Sequence, residues 1–251
     1  MNDNNFDNFE QREVKCEKCG KTFIQKFIPF VNIWSGECEC VIAERNADEK
    51  RRKELKRQSK IEDNKRFCGI PKLYRDSRLD NFEVRQGTEK AVRASKAYVE
   101  RFNELADGGK GIIFTGNTGS GKTRLAASIG NALLESGYTV KFISFVNLID
   151  KINNADDYGK TEADTIAELT QCKLLIIDDI CVTTVNDRWR RVLYSIVDNR
   201  INNIKPTIFT SNITNLEEIK TKLNEQIYDR ISGSCAEIKV LANSYRQKKN
   251  G

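Results

Sequence analysis

The residues of this chain best placed to do chemistry sit in a few short stretches. The most informative is Gly116-Asn117-Thr118-Gly119-Ser120-Gly121-Lys122-Thr123. It fits G-x-x-x-x-G-K-[ST], a loop whose backbone N–H groups curl around phosphate oxygens. Gly116, Gly119 and Gly121 free the backbone for that curl. Lys122 is expected to reach the β- and γ-phosphates of a bound nucleotide such as ATP, and the Thr123 hydroxyl to bind Mg²⁺. The bland alternative is a chance glycine turn ahead of an ordinary helix. The flanks argue against it. Gly111–Thr115 is a short apolar run suited to a buried strand, and Leu125, Ile129, Ala132 and Leu133 follow at helical spacing.

A second stretch, Leu174-Leu175-Ile176-Ile177-Asp178-Asp179, is an apolar run ending in two acids. Carboxylates at a buried strand tip are costly unless they face a cation or water. Asp178 is expected to hold Mg²⁺, directly or through water, and Asp179 to polarise an attacking water. An acidic turn after a strand is the alternative. The run Pro206–Asn212 is a third strand-like stretch, ending in small polar groups. Asn212 there can position water against a γ-phosphate, or cap a helix that starts near Leu216.

The chain has eight cysteines and no histidine, so imidazole is excluded as base or ligand. Cys16 and Cys19 have the two-residue gap of a metal knuckle followed by Gly20; Cys38 and Cys40 are closer together. Together they make a complete four-thiolate set for Zn²⁺, with free thiols or a redox pair as the alternatives. Phe23, Phe27, Phe30 and Trp34 lie between the pairs and are expected to form the small core that a metal staples. Lastly, Arg188-Trp189-Arg190-Arg191 is basic with an aromatic inside it. Stacking plus phosphate contacts hold single-stranded DNA without sequence preference. Equally, Trp189 can be the first core anchor of a helix running through Leu193, Ile196 and Val197.

These groups need elements to position them. At 251 residues the chain holds one domain of ordinary size plus a small appendage. Hydrophobic residues are 39% and charged residues 31%, which suits a soluble chain with a modest core. The first residues are polar and acidic, unlike a signal peptide, and no apolar run reaches the length of a membrane span. A cytoplasmic setting with reduced thiols is expected. The net charge of +6 suggests an anionic partner. From Val41 to about Phe67 the chain is dense in Lys, Arg and Glu without glycine or proline, which predicts an exposed helical linker. Its charges are either a solvated face or a contact for nucleic acid or protein.

Gly69-Ile70-Pro71 breaks that helix, and an amphipathic helix is expected over Thr88–Leu105. Five apolar runs then alternate with helical stretches: Gly111–Thr115, Thr139–Ile143, Lys173–Ile177, Pro206–Thr210 and Ala236–Leu241. That alternation predicts an α/β fold, a five-stranded parallel sheet with helices on both faces. Ligands bind at the carboxyl ends of such strands, where the candidate groups lie. The expected division is a zinc-binding domain over 1–42, a linker over 43–68 and a nucleotide-binding domain over 69–251.

The motifs TGNTGSGKT, LLIIDDI, DRWRRVLYSIVDNRINNIKPTIFTSN, YDRISG and SYR together resemble the DnaC/DnaI-type helicase loaders, members of the AAA+ ATPases with the transposition helper IstB as a relative. The resemblance covers about Gly69 to Arg246. It implies an AAA+ P-loop core without a helical lid, ATP hydrolysis with Mg²⁺ that is slow and stimulated by partners, and self-assembly into a hexamer or spiral. It implies a DnaB-type hexameric replicative helicase and single-stranded DNA as partners, with the cysteine-bearing front docking on the helicase. Arg230 matches the arginine finger that reaches a neighbouring subunit's γ-phosphate. By itself, an arginine beside Asp229 reads as a local ion pair. Arg246 matches a nucleotide sensor. Cys181 stands where the family usually has glycine, and the Cys-x-Cys pair is an uncommon spacing. The rival readings are an IstB-like helper that binds duplex DNA and a transposase, an adaptor with a structural nucleotide, and a small-molecule kinase.

Overall fold

The computed structural model describes residues 10–155, 157, 159–181, 186–215 and 217–245. The chain divides into two compact units, Met1–Ser59 and Lys60–Gly251.

In the first unit, β1 (Gln11–Lys15), β2 (Thr22–Ile28) and β3 (Ile33–Ser35) form an antiparallel sheet in that order. Gly20, at φ +74°, turns the chain between β1 and β2. Its N–H reaches Cys16 O at 2.9 Å, and Cys16 N–H reaches Lys21 O at 2.8 Å. Phe27 and Trp34 pair across β2 and β3 with ring centroids 5.4 Å apart, and the Arg12 guanidinium lies 4.3 Å from the Trp34 ring. Phe23 is half-buried. Phe30, expected in this small core, is 86% exposed, because the turn between β2 and β3 carries it outward.

Helix α1 (Glu39–Phe67) is the expected charged helix. Charge surrounds it on all sides, and Ile61 is its one buried residue. The boundary between the two units falls inside it.

In the second unit, α2 (Glu89–Glu100) and α3 (Phe102–Asp107) stand where one helix is expected. The break at Arg101 (φ −102°, ψ 18°) accompanies the burial of Phe102, whose ring packs edge-on against Tyr98 and Tyr138 at 5.8 and 4.9 Å. Then follow β4 (Gly111–Thr115), α4 (Lys122–Glu135), β5 (Val140–Ser144), α5 (Phe145–Asn153), α6 (Glu162–Gln171) and β6 (Leu174–Asp178). The chain continues through α7 (Asp187–Asn202), β7 (Thr207–Ser211), α8 (Glu217–Lys222), α9 (Glu225–Ser234) and β8 (Cys235–Lys239). The strands form one parallel five-stranded sheet in the order β5-β6-β7-β4-β8.

The strands alternate between two cores, as a period of two requires. Ile112, Phe114, Leu174, Ile176 and Ile208 pack with Leu125 and Ile129 of α4. Ile113, Leu175, Ile177 and Phe209 pack with Leu148 of α5, Leu193 and Ile196 of α7 and Ile227 of α9. Both faces are covered, so β4, β6 and β7 are buried throughout.

Arg200 of α7 is fully buried, with no carboxylate partner among the described residues. Its guanidinium donates to the carbonyls of Leu169, Cys172, Lys173 and Pro206 and to Thr207 Oγ1, at 2.6–3.2 Å. The carbonyls at the end of α6 supply the negative potential that the missing acid would.

Candidate active site

The loop after β4 turns through Gly116 and Gly119, at φ +137° and +76°. A Cβ on Gly116 would lie 2.1 Å from Val240 O, and one on Gly119 would lie 2.2 Å from Ser244 Oγ. Only glycine fits where the stretch after β8 passes so close. Helix α4 starts at Lys122 with Gly121 as its N-cap. The loop's N–H groups and the helix N-terminus therefore share one concavity, the ordinary design for holding phosphate. Lys122 is buried, and its Nζ donates to Gly116 O at 2.9 Å and Asn117 O at 2.7 Å. Ser120 Oγ is buried with no hydrogen-bond partner among the described residues. An orphaned hydroxyl inside the loop fits a site built around an external acceptor.

Asp178 ends β6, and Asp179 follows at φ +56°. Both are tied to β7. Thr210 Oγ1 donates to Asp178 Oδ1 at 2.6 Å and accepts from Asp179 N–H at 2.9 Å. Burial pushes the Asp178 carboxyl up to about 6, and the hydrogen bond from Thr210 offsets part of that. The Thr123 hydroxyl and the Lys122 charge also act on it. A buried, destabilised carboxylate beside a threonine hydroxyl is a fitting place for a divalent cation. Asn212 Nδ2 reaches Asp179 Oδ1 at 3.3 Å. The fold thus brings Gly119, Gly121, Lys122, Thr123, Asp179 and Asn212 to one pocket of about 740 Å³. That volume suits a small-molecule ligand.

The sequence carries no periodic signal for the other residues that line the pocket. Leu73, Tyr74, Phe82 and Arg85 line it, together with Tyr245. This irregular segment is fastened to α4. Asn131 Nδ2 donates to Tyr74 O and Ser77 O at 2.8 Å each, and Arg124 Nη2 donates to Asn81 O at 2.8 Å. Arg85 Nη1 donates to Asn243 O at 3.1 Å, and its guanidinium lies 5.2 Å from the Tyr245 ring. Tyr245 N–H reaches Gly119 O at 3.0 Å. Arg246 lies outside the described residues.

Cys181 has φ +78°, a conformation that glycine adopts freely and a cysteine holds at a cost of about 1–3 kcal/mol. Burial pushes its thiol up to about 12, so it is no thiolate nucleophile.

Arg230 stands apart from this pocket. It lies on α9 just before β8, and the first residue of β8 pairs with Gly111, at the far end of β4 from the phosphate loop. Its salt-bridge partner is Asp198, at 2.6 Å, not the neighbouring Asp229.

The basic stretch on α7 divides. Trp189 is buried among the core residues under α7, so its ring is not the open stacking platform considered from the sequence. The Asn186 cap of α7 turns this position inward, in line with Leu193 and Ile196. Arg190 pairs with Asp187 at 2.9 Å. Arg188 and Arg191 are exposed, and Arg188 pairs with Glu162 at 3.1 Å.

In the first unit, the Sγ atoms of Cys16, Cys19, Cys38 and Cys40 lie within 4.8 Å of one another, three of the pairs at 3.5 Å. A tetrahedral Zn²⁺ with bonds of about 2.3 Å spaces its sulfurs by about 3.8 Å, so the set fits. The close Cys38–Cys40 spacing works because Cys40 sits in the first turn of α1 and curls back over Cys38. Backbone N–H groups of Cys19 and Lys18 pull the Cys16 thiol down to about 6, which favours a thiolate ligand.

The parallel sheet, phosphate loop and paired acids define a P-loop ATPase of the AAA+ class. The chain belongs to the family described as IstB-like ATP binding protein, whose model matches residues 43–251. It is 31% identical over 188 residues to the uncharacterized protein YdaV of Escherichia coli (strain K12), and 30% identical over 187 residues to the replicative helicase loader DnaC of the same strain. Each match covers 73% of this chain and 74% of the relative. The crystal structure of the DnaC helicase loader superposes with a TM-score of 0.62 at 25% identity, over 68% of this chain and 99% of that one. No described helix is long and apolar enough to cross a membrane.

Proposed function

We propose that this chain is an ATP-driven loader that engages a DnaB-type hexameric helicase and delivers it to single-stranded DNA. Residues 116–123 hold the phosphates, Thr123 and Asp178 hold Mg²⁺, and Asp179 with Asn212 orients the attacking water. Tyr74 and the wall around it take the base. Zn²⁺ on Cys16, Cys19, Cys38 and Cys40 staples the first unit, and the exposed Phe30-Val31 turn beside Ile33 is its helicase contact. Arg188 and Arg191 take the DNA backbone, and Arg246 senses the nucleotide.

The observation that carries this reading is the separation of Arg230 from the pocket. A five-residue strand spans about 16 Å, so Arg230 at one end of the sheet does not serve the phosphate loop at the other. A site completed only by a neighbouring copy makes hydrolysis depend on assembly, as a loader acting on a ring requires. The test is capture of the replicative helicase by the full chain, alongside ATPase rates with and without single-stranded DNA. Helicase capture with Cys16→Ser uncoupled from it supports the reading. Capture of a transposase in its place, with preference for duplex DNA, favours the IstB-like alternative that the family description raises.

A further inference from the structure

Arg230 is held in a particular way. Its Nη2 donates to Tyr194 Oη at 2.5 Å and forms an ion pair with Asp198 Oδ1 at 2.6 Å. The guanidinium also lies 4.7 Å from the Tyr194 ring centroid. Tyr194 and Asp198 are four residues apart on α7, so they share one face of that helix, and α9 carries Arg230 against it. Tyr194 is itself anchored, packed against the core below α7. Nη1 makes no hydrogen bond among the described residues, and Nε is buried without one. The group lines a cleft of about 550 Å³, together with Gly109, Lys110, Gln226 and Gly233.

This is more than an ion pair on a surface. Arginine is long and flexible, and a fork with one corner fixed and its plane set by a ring has lost most of its rotamers in advance. Nη1 remains unspent on the other corner of the fork. A charge that must meet a phosphate at a moment of assembly gains most from being oriented beforehand.

We infer that Asp198 and Tyr194 are positioning residues for Arg230, fixing its guanidinium so that Nη1 meets the phosphate charge of a nucleotide bound by a neighbouring copy. This rests on the reading that Arg230 acts in trans. Asp198 and Tyr194 touch no nucleotide. Their effect passes through the arginine, so it belongs to turnover and not to nucleotide affinity.

The test is steady-state hydrolysis of ATP by the full-length protein over a concentration series that spans assembly. Asp198→Ala is expected to lower kcat roughly 10- to 100-fold with KM unchanged, the penalty of a misplaced group. Asp198→Glu should recover part of the loss. In an Arg230→Ala background, Asp198→Ala should add nothing, because the two act through one group. Melting temperatures control for folding, and Asp198→Asn supplies an isosteric variant if Asp198→Ala is destabilised. Unchanged or faster turnover in both Asp198→Ala and Asp198→Asn, with Arg230→Ala still inactive, would overturn the inference and leave the trans reading standing. Normal turnover by Arg230→Ala would overturn the trans reading itself.

Discussion

Thr210 holds Asp178 by a 2.6 Å hydrogen bond from its hydroxyl, and through the same oxygen accepts the N–H of Asp179. One side chain on β7 thus sets the direction of both acids at the tip of β6. Thr210 is fully buried, so the bond has no competition from solvent.

Thr210→Val should therefore keep the shape of the core and lose both bonds. Leaving a buried polar group unsatisfied costs about 1–3 kcal/mol, so the melting temperature should fall modestly. Turnover should fall more, by roughly 10²-fold, because Asp178 and Asp179 lose their aim. Nucleotide affinity should hold. Parallel titration of fluorescent ATP and measurement of kcat separates the two effects. A variant that hydrolyses at the normal rate would show that the acids need no such tether.

Lys122→Ala removes a buried amine that bonds to its own loop as well as the group expected to meet phosphate. ATP affinity should drop below detection while circular dichroism stays native. Wild-type affinity in a fluorescent-ATP titration would refute the assignment of the loop.

What the sequence made legible was local. A glycine-spaced loop between an apolar run and a 3.6-period helix announces itself, and the expected strands lie within one or two residues of β4 to β8. What it hid depends on contacts between distant residues. The pocket wall at 73–85 has no period, because Asn131 and Arg124 of α4 hold it in place of a ladder. The burial of Arg200 is invisible in the sequence, because backbone carbonyls of distant residues receive it in place of an acid. Trp189 could have faced either way until the register of α7 on the sheet was known. Taken by itself, apart from the family resemblance, Arg230 reads as a partner for its neighbour Asp229, yet its ion pair is with Asp198 of α7.

The first unit should depend on metal. Structural zinc contributes about 10–16 kcal/mol of apparent binding free energy near neutral pH, far more than a three-stranded sheet with half-buried aromatics supplies. The full chain should contain stoichiometric zinc. Cys16→Ser or chelation should abolish helicase capture while ATP binding by the second unit persists. Metal analysis showing no zinc in the purified protein would end this prediction.

Glu168 receives Lys141 and Lys151 at 2.9 Å and Lys160 at 3.5 Å. Burial alone would raise its carboxyl, but the lysines' hydrogen bonds and charge outweigh it and hold the group at about 2, against 4.5 ordinarily. The folded value is the lower one. Its contribution is therefore present above about pH 4.5 and is lost as pH falls towards 2. The group is partly exposed, and solvent screening limits the effect to about 1 kcal/mol. Glu168→Gln should melt a few degrees lower than wild type at pH 7, and the gap should close in acid. A gap independent of pH would assign the loss to packing.

The arginines of α7 make the last prediction, because they separate DNA contact from core packing. Trp189 is buried under α7, so Trp189→Ala should cost about 3–5 kcal/mol of stability, the price of removing a large core side chain. Its affinity for single-stranded DNA per folded molecule should stay normal. Arg191 is exposed and makes no ion pair among the described residues, so Arg191→Ala should leave the melting temperature unchanged. It should weaken DNA binding and flatten the log–log salt dependence by about 0.7 for each lost single-strand phosphate contact. Arg188→Ala should do the same less cleanly, since it also frees Glu162 and uncovers the Trp189 ring, over which its guanidinium lies at 4.7 Å. Phosphate contacts carry no base code, so the loss should be equal on all sequences. Melting curves and affinities at two salt concentrations decide the matter. If Arg191→Ala binds DNA with the wild-type salt slope, the nucleic acid does not run along this face of α7.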